Sequence, residues 1–386
     1  MVPRGAGTAT TGAPLAETGG LVLALTRLDR ILEINEEDLI AVVEPGVFNG
    51  HFRREVEARG LFYPPDPASY EFSTLGGNAA TGAGGPKGLK YGVTKDYVLG
   101  LEVVLPTGEI EFFGRRTMKG VVGYDLVHLF VGSEGTLGVI SKLVLKLLPK
   151  PPAQATLLAG FARISEVAEA FAGLLAAGLL PATAELMDEV TIQAVRNFLA
   201  QDIPAKALLL LEFDGSPTQV KEDLERAAEL LRSRVLFLEE AQTQEERQRL
   251  WQARRSVSPA LKKLAPFKLA DDVVVPRRRL VPLLEWVKTR ARQTGLLVAC
   301  FGHLGDGNIH VNILFSEDEK QRARNLREEI LSYVLTLTGT ISGEHGIGLT
   351  KRAYLPRELS PKTLSLLKSL KKVFDPAGIM NPGKIF

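Results

Sequence analysis

Through the first 150 residues the apolar positions come in short runs, at 21–25, 39–43, 98–105 and 143–148, which read as strands. The second run ends at Glu44-Pro45-Gly46, and the third closes in a hairpin turn at Pro106-Thr107-Gly108 before a partner at 109–113. A helix is expected at 49–59, where Phe52 and Val56 stand one turn apart on the buried side. Pro149-Lys150-Pro151-Pro152 then breaks regular structure, because three of its four residues lack a backbone N–H, and sets a domain boundary after residue 150. Beyond it strands at 157–161, 207–213, 235–238 and 273–275 alternate with helices at 165–177 and 280–294 and one that starts Ser216-Pro217-Thr218-Gln219. That start is a capping-box pattern with Pro at the first helical position. The stripe Val167, Phe171, Leu174 and Leu175 gives the 165–177 helix its apolar face, and the alternation implies an α+β or α/β domain.

Some stretches fit neither period. Prolines along 63–69 fix an extended path, and residues 73–85 are almost all small, so they can fill little of a core. Such a run is either a linker or a place where backbone approaches a large planar or phosphorylated ligand. Because the strand at 98–105 follows at once, the second reading is favoured. In residues 374–384 Pro and Gly recur too often for helix or strand, yet a frayed end seldom needs so much backbone specification. That tail is expected to dock.

Composition narrows the classes. With 386 residues, 45% hydrophobic and 24% charged, the chain is of ordinary globular make-up and long enough for about two domains. Its 47 basic and 45 acidic side chains make no overall field for nucleic acid, and Arg277-Arg278-Arg279 reads as a solvated helix start. A single cysteine, Cys300, excludes an internal disulfide framework and fits a buried core position in a reducing compartment. The weakly charged run 170–184 is interrupted by Pro181 and falls short of the ~18 apolar residues of a membrane span. With no signal peptide visible either, a cytoplasmic protein is expected.

Candidate chemistry concentrates in Gly302-His303-Leu304-Gly305-Asp306-Gly307-Asn308-Ile309-His310 and Ser342-Gly343-Glu344-His345-Gly346, which hold three of the five histidines. Imidazoles beside carboxylates suit a metal or a proton-transfer site. His303 and His310 can face each other only through a turn or a strand-turn-strand path. Asp306 is either a turn residue or one that orients a ligand.

The blocks Pro64-Pro65-Asp66-Pro67, Gly76-Gly77-Asn78-Ala79, Leu89-Lys90-Tyr91-Gly92, Gly123-Tyr124-Asp125-Leu126, Gly132-Ser133-Glu134-Gly135-Thr136 and Asn381-Pro382-Gly383-Lys384, with the two histidine segments, carry a family resemblance. Over essentially its whole length the chain resembles the FAD-linked oxidases with a PCMH-type FAD-binding domain, a group that includes glycolate oxidase catalytic subunits and D-lactate and D-2-hydroxyglutarate dehydrogenases. The resemblance implies an α+β protein. Its FAD domain, residues 1–150, would be shortened at the N-terminus, since family members carry further strands and a helix before the Pro3-Arg4-Gly5 loop. A substrate or cap domain with ferredoxin-like elements and the metal site would span 151–370, and a tail at 371–386 would return to the flavin.

The resemblance implies bound FAD, and since no residue announces a covalent flavin bond the cofactor is expected to be non-covalent. Arg4, Gly5, Gly7 and Thr8, with Gly76, Gly77, Asn78, Gly82 and Gly84, would surround the pyrophosphate, where glycine N–H groups can crowd phosphates. Pro65, Asp66, Ser69 and Thr74 would join them, as would Tyr91, Gly92 and Thr94. Gly132, Glu134, Gly135, Gly138, Val139 and Ile140 would hold the ribityl and isoalloxazine region, and Asn381 would touch the flavin. His303, His310 and Glu344 would bind a divalent metal, zinc foremost, manganese or iron as alternatives. His345 would act as base and Arg254 would grip the substrate carboxylate, with Lys268 and Asn312 as further contacts.

The implied reaction oxidises a small D-2-hydroxy acid of the glycolate or D-lactate type to the 2-oxo acid, with hydride passing to flavin N5. A quinone, an electron-transfer flavoprotein or an iron-sulfur subunit would take the electrons, and partner subunits or a homodimer would fit. Two other classes stay open: a flavin-binding accessory subunit that oxidises no substrate, and a metal-dependent hydrolase, against which the glycine-rich blocks argue.

Overall fold

The computed structural model describes residues 1–17, 19–199, 203–241 and 243–386. The backbone divides into two compact units. One gathers Met1–Gly85, Gly92–Lys150 and Glu344–Phe386, and the other gathers Pro86–Tyr91 and Pro151–Gly343.

In the first unit β1 (Val2–Arg4) and β2 (Val22–Ala24) pair in parallel. The strands β3 (Ile31–Asn35) and β4 (Ile40–Val43) form a hairpin, and β5 (Leu61–Phe62) follows the helix Asn49–Glu57. A second hairpin, β6 (Val98–Val104) and β7 (Ile110–Gly114), is joined to the first by β8 (Val139–Lys146), giving the order β3-β4-β8-β6-β7. Pro149 does not simply end regular structure. It closes β9 (Leu148–Pro149), which pairs with β5 in a separate two-stranded sheet, an edge position where a missing N–H is tolerated.

Phe52 and Val56 are fully buried, as their spacing implies, and Tyr63 packs edge-on between Phe52 at 5.2 Å and Tyr97 at 5.8 Å. The small-residue run contains a helix, Leu75–Thr81, that apolar periodicity does not reveal. Thr74 caps its start, Gly82 in the left-handed region ends it, and Leu75 and Ala79 are its buried apolar contacts. The tail docks within this unit: the Met1 amine donates to the Ile379 carbonyl at 2.6 Å, and Asn381 N–H donates to the Met1 carbonyl at 2.7 Å.

The second unit is built on seven strands: β10 (Ala153–Phe161), β11 (Thr183–Asp188), β12 (Ala207–Gly215), β13 (Phe237–Ala241), β14 (Phe267–Val274), β15 (Leu297–His303) and β16 (Asn308–Phe315). Their order is β13-β10-β12-β11-β15-β16-β14 with antiparallel pairing throughout. An antiparallel sheet with helical connections makes this unit α+β. Ser216 caps the helix Pro217–Arg232, but the Gln219 amide turns to Asp223 at 2.8 Å instead of reaching back, so only half of the expected box forms. Among the described residues no helix is long and apolar enough to cross a membrane.

The segment Pro86–Tyr91 is fastened to β12. Lys87 Nζ meets Glu212 at 2.8 Å, while Lys90 Nζ at 2.5 Å and the Tyr91 hydroxyl at 2.8 Å both donate to Asp214. Burial opposes the charge on Glu212, but Lys87, with Arg247 and the Trp251 N–H, outweighs it and holds the carboxyl below its usual range. Lys87→Met leaves that buried carboxylate with only the Trp251 N–H and Arg247 at 4.0 Å, and should destabilise the fold by about 3–5 kcal/mol. Because the folded pKa is depressed, the pair's contribution is complete above the unfolded carboxylate range and is lost as pH falls through the folded value. Urea titrations of wild type and variant should therefore converge as Glu212 becomes protonated in acid; a gap that persists there would remove the charge pair as its cause.

Candidate active site

Antiparallel register puts a band of polar side chains on one face of the seven-stranded sheet. Glu185 lies opposite His303, His303 opposite Asn308, and His310 opposite both Phe301 and Asp272. Cross-strand partners share a face and side chains alternate between faces, so Glu185, His303, His310, Asn312, Asp272 and Lys268 all project to the same side. The chain reverses between β15 and β16 through residues 304–307, helped by Gly307 with φ +84°. This strand-turn-strand path brings the rings of His303 and His310 edge to face at 5.3 Å between centroids. Asp306 sits exposed in the turn, accepting the Asn308 N–H at 3.2 Å.

Arg254 reaches this face from the helix Gln244–Leu261. Its Nε and Nη2 bond Glu185 Oε2 at 2.6 and 2.5 Å, and its guanidinium stacks on Phe301 at 4.7 Å. One turn earlier Trp251 donates to Glu212 at 2.8 Å, so the helix is clipped to neighbouring strands at two points. The other carboxylate oxygen of Glu185 takes His303 Nδ1 at 2.6 Å. Burial pushes the Glu185 carboxyl up, and Arg254 and His303 together more than reverse this, holding it below the usual range.

Asp272, fully buried, accepts the Gly343 N–H at 2.8 Å and so fixes the backbone immediately before Glu344. Lys268 Nζ donates to Ser258 Oγ at 2.9 Å; burial, and then the nearby charge of Lys262, lower its pKa. Asn312 is buried with its amide on the His310 carbonyl at 3.2 Å. Glu185, Asp272 and Glu212 lie outside the motif blocks of the sequence. The usable signal was a lone carboxylate inside an otherwise apolar strand, as in Ala184-Glu185-Leu186-Met187 and Leu210-Leu211-Glu212-Phe213.

In the first unit the backbone around His345 is held on two sides. Thr11 Oγ1 donates to the His345 carbonyl at 3.1 Å, and the carboxylate of Glu134 accepts the N–H groups of Ile347 at 2.7 Å and Gly348 at 2.9 Å. Burial raises the Glu134 pKa despite these bonds and the positive charges of Lys384 and Lys351. Glu344 and His345 side chains lie 4.0 Å apart, and Glu344 Oε2 stands 2.6 Å from where a Cβ on Gly84 would be.

The residues expected around FAD are drawn together mostly by backbone proximity that only glycine permits. A Cβ on Gly5 would stand 2.3 Å from Thr74 Oγ1, one on Gly76 2.4 Å from Pro45, and one on Gly85 2.7 Å from the Asp66 backbone. Gly132 and Glu134 donate to the carbonyls of Ala79 and Ala80 at 2.9 and 2.7 Å, and Asn381 Nδ2 donates to the Ala13 and Glu134 carbonyls at 3.1 and 2.6 Å. Arg4 is exposed and folds against Gly7, while Gly138, Val139 and Ile140 enter β8. Tyr91 differs from these: its hydroxyl is committed to Asp214 on β12.

Buried in this cradle, Asn78 Nδ2, Ser73 Oγ, Thr94 Oγ1 and Asn381 Oδ1 have no hydrogen-bond partner among the described residues. Buried polar atoms are rarely left so. Crowded glycine backbone with orphaned donors and acceptors fits a large polar ligand such as FAD.

Comparison with known proteins agrees. Residues 1–114 match the FAD binding domain, and residues 150–385 match the C-terminal domain of FAD linked oxidases. The chain is 42% identical to glycolate oxidase subunit GlcD of Bacillus subtilis, with 100% of this chain and 83% of that protein covered. It is 34% identical to a D-lactate dehydrogenase of Anaerostipes hadrus, over 100% of this chain and 84% of the relative. Among solved structures, 4-ethylphenol oxidase from Gulosibacter chungangensis superposes with a TM-score of 0.76 at 19% identity, covering 99% of this chain and 84% of that one. An alkyldihydroxyacetonephosphate synthase gives 0.75 at 20%, covering 99% and 72%. The α+β architecture, the glycine-crowded cradle and these matches together make the chain a member of the FAD-linked oxidase family, built on the PCMH-type FAD-binding fold.

Proposed function

We propose that this chain oxidises a small D-2-hydroxy acid, of the glycolate or D-lactate kind, to its 2-oxo acid. The observation that carries the reading is the sheet face on which Arg254, Glu185, His303 and His310 are linked in succession. With Nε and Nη2 on Glu185, Arg254 keeps Nη1 to offer a substrate carboxylate, and paired imidazoles with a carboxylate suit a divalent metal, zinc foremost with manganese or iron as alternatives. His303 and His310 supply two ligands and Glu344, directly after the clamped Gly343, the third. Bound FAD supplies hydride acceptance and the metal Lewis acidity at the substrate hydroxyl.

The remaining work belongs to the chain. Arg254 orients the substrate by its carboxylate, with Lys268 and Asn312 at its margin. His345 takes the hydroxyl proton, a task suited to an imidazole. Non-covalent FAD is held by the loop at 4–8, the segments 65–85, 91–94 and 131–140, and Asn381. The Bacillus subtilis relative is named as an oxidase subunit, which supports partner subunits here and an electron acceptor supplied by one of them. The test is steady-state turnover with a dye acceptor: 2-oxo acid captured by a carbonyl reagent should match dye reduced. Dye reduction without 2-oxo acid from glycolate or D-lactate would reject the substrate class.

A further inference from the structure

Five side chains on the sheet face close a ring of contacts. Arg254 bonds Glu185, Glu185 bonds His303, the His303 ring meets His310 at 5.3 Å, His310 meets Phe301 at 5.1 Å, and Phe301 lies under Arg254 at 4.7 Å. Glu185 is the only carboxylate in that ring, and its side chain is fully buried. Each of its oxygens has a separate duty, Oε1 to His303 Nδ1 and Oε2 to the Arg254 fork. A carboxylate has no proton to give, so the proton of this hydrogen bond belongs to His303 Nδ1, and Nε2 is the ring nitrogen that can serve as a metal ligand. The same charge sets the aim of the guanidinium, whose Nη1 makes no hydrogen bond among the described residues.

We propose that Glu185 is a positioning residue that fixes the tautomer of His303 and the aim of Arg254 together, so that metal affinity and hydroxy-acid affinity depend on one carboxylate. This rests on the roles proposed above for those two residues. Register is what permits it: Glu185 lies directly across from His303 on the adjacent strand, while Arg254 reaches down from the helix clipped over the same face. Glutamine cannot reproduce the arrangement, since its amide accepts at one end and donates at the other. Glu185→Gln must therefore either give up the guanidinium contact or donate its NH2 to His303 Nδ1, which moves the imidazole proton onto Nε2. Glu185→Asp keeps the charge but is one methylene too short to span both.

The test measures, in the FAD-loaded full chain, zinc affinity by competition with a chromophoric chelator and KM and kcat for D-lactate and glycolate. Zinc binding should weaken about 10- to 100-fold in both variants, the usual effect of losing a partner behind a metal ligand. KM should rise about tenfold or more, the equivalent of one lost charge-assisted hydrogen bond. A residue that only braces the sheet would lower the unfolding temperature and leave both constants unchanged in the folded variant. Should Glu185→Gln fail to fold, Glu185→Asp decides. Zinc binding by wild type with unchanged constants in the variants overturns this inference alone, whereas no zinc binding by wild type overturns the metal assignment with it.

Discussion

His345→Ala is expected to slow flavin reduction by a 2-hydroxy acid about 10²- to 10⁴-fold, the usual worth of a positioned general base, while FAD stays bound. The separation of effects follows from the surroundings of the residue. Its backbone is held by Thr11 at its own carbonyl and by Glu134 at the N–H groups of Ile347 and Gly348, so removing the imidazole leaves the loop in place. The side chain is about one-quarter exposed (27%), enough for a substrate proton to reach it. Stopped-flow mixing with D-lactate reads the rate, and the retained yellow colour after gel filtration reads FAD. Full-speed flavin reduction in the variant would remove His345 from the base role.

Arg254→Ala should raise KM about 10- to 100-fold, from the loss of charge-assisted bonds to a substrate carboxylate worth about 1.5–3 kcal/mol. It should also weaken the fold, because Glu185 then keeps only His303 as partner for a fully buried carboxylate, a situation that costs about 3–5 kcal/mol when a buried pair is broken. Arg254→Lys should restore part of the stability and little of the substrate affinity, since an ammonium neutralises Glu185 but cannot offer the planar fork. Initial-rate kinetics and urea unfolding of the two variants separate these effects. A KM unchanged in both would take Arg254 out of substrate binding.

What could be read from the chain alone followed from periodicity and from motifs with a chemical reason. Phe52 and Val56, the run at 98–105 and the stripe at 167, 171 and 174 announced their elements because burial imposes a period on them. The helix Leu75–Thr81 was illegible because its stability comes from the Thr74 cap and close backbone contact, with few apolar side chains to show a period. The helix Gln244–Leu261 was hidden by its own chemistry: Trp251 and Arg254 turn inward to buried acids, so its inner face is partly polar. For the site, the histidines and Glu344 stood out by their glycine-rich setting, whereas Glu185 gave no motif. Its importance depends on a cross-strand register between residues 185 and 303 that no local pattern encodes.

The most direct measurement of the central claim is a single anaerobic turnover. FAD-reconstituted, zinc-supplemented protein is mixed with glycolate, D-lactate or L-lactate, and flavin absorbance and 2-oxo acid are followed together. Glycolate or D-lactate is expected to bleach the flavin with one 2-oxo acid formed per flavin, and L-lactate to leave it oxidised. A flavin that stays oxidised with both glycolate and D-lactate would contradict the central claim.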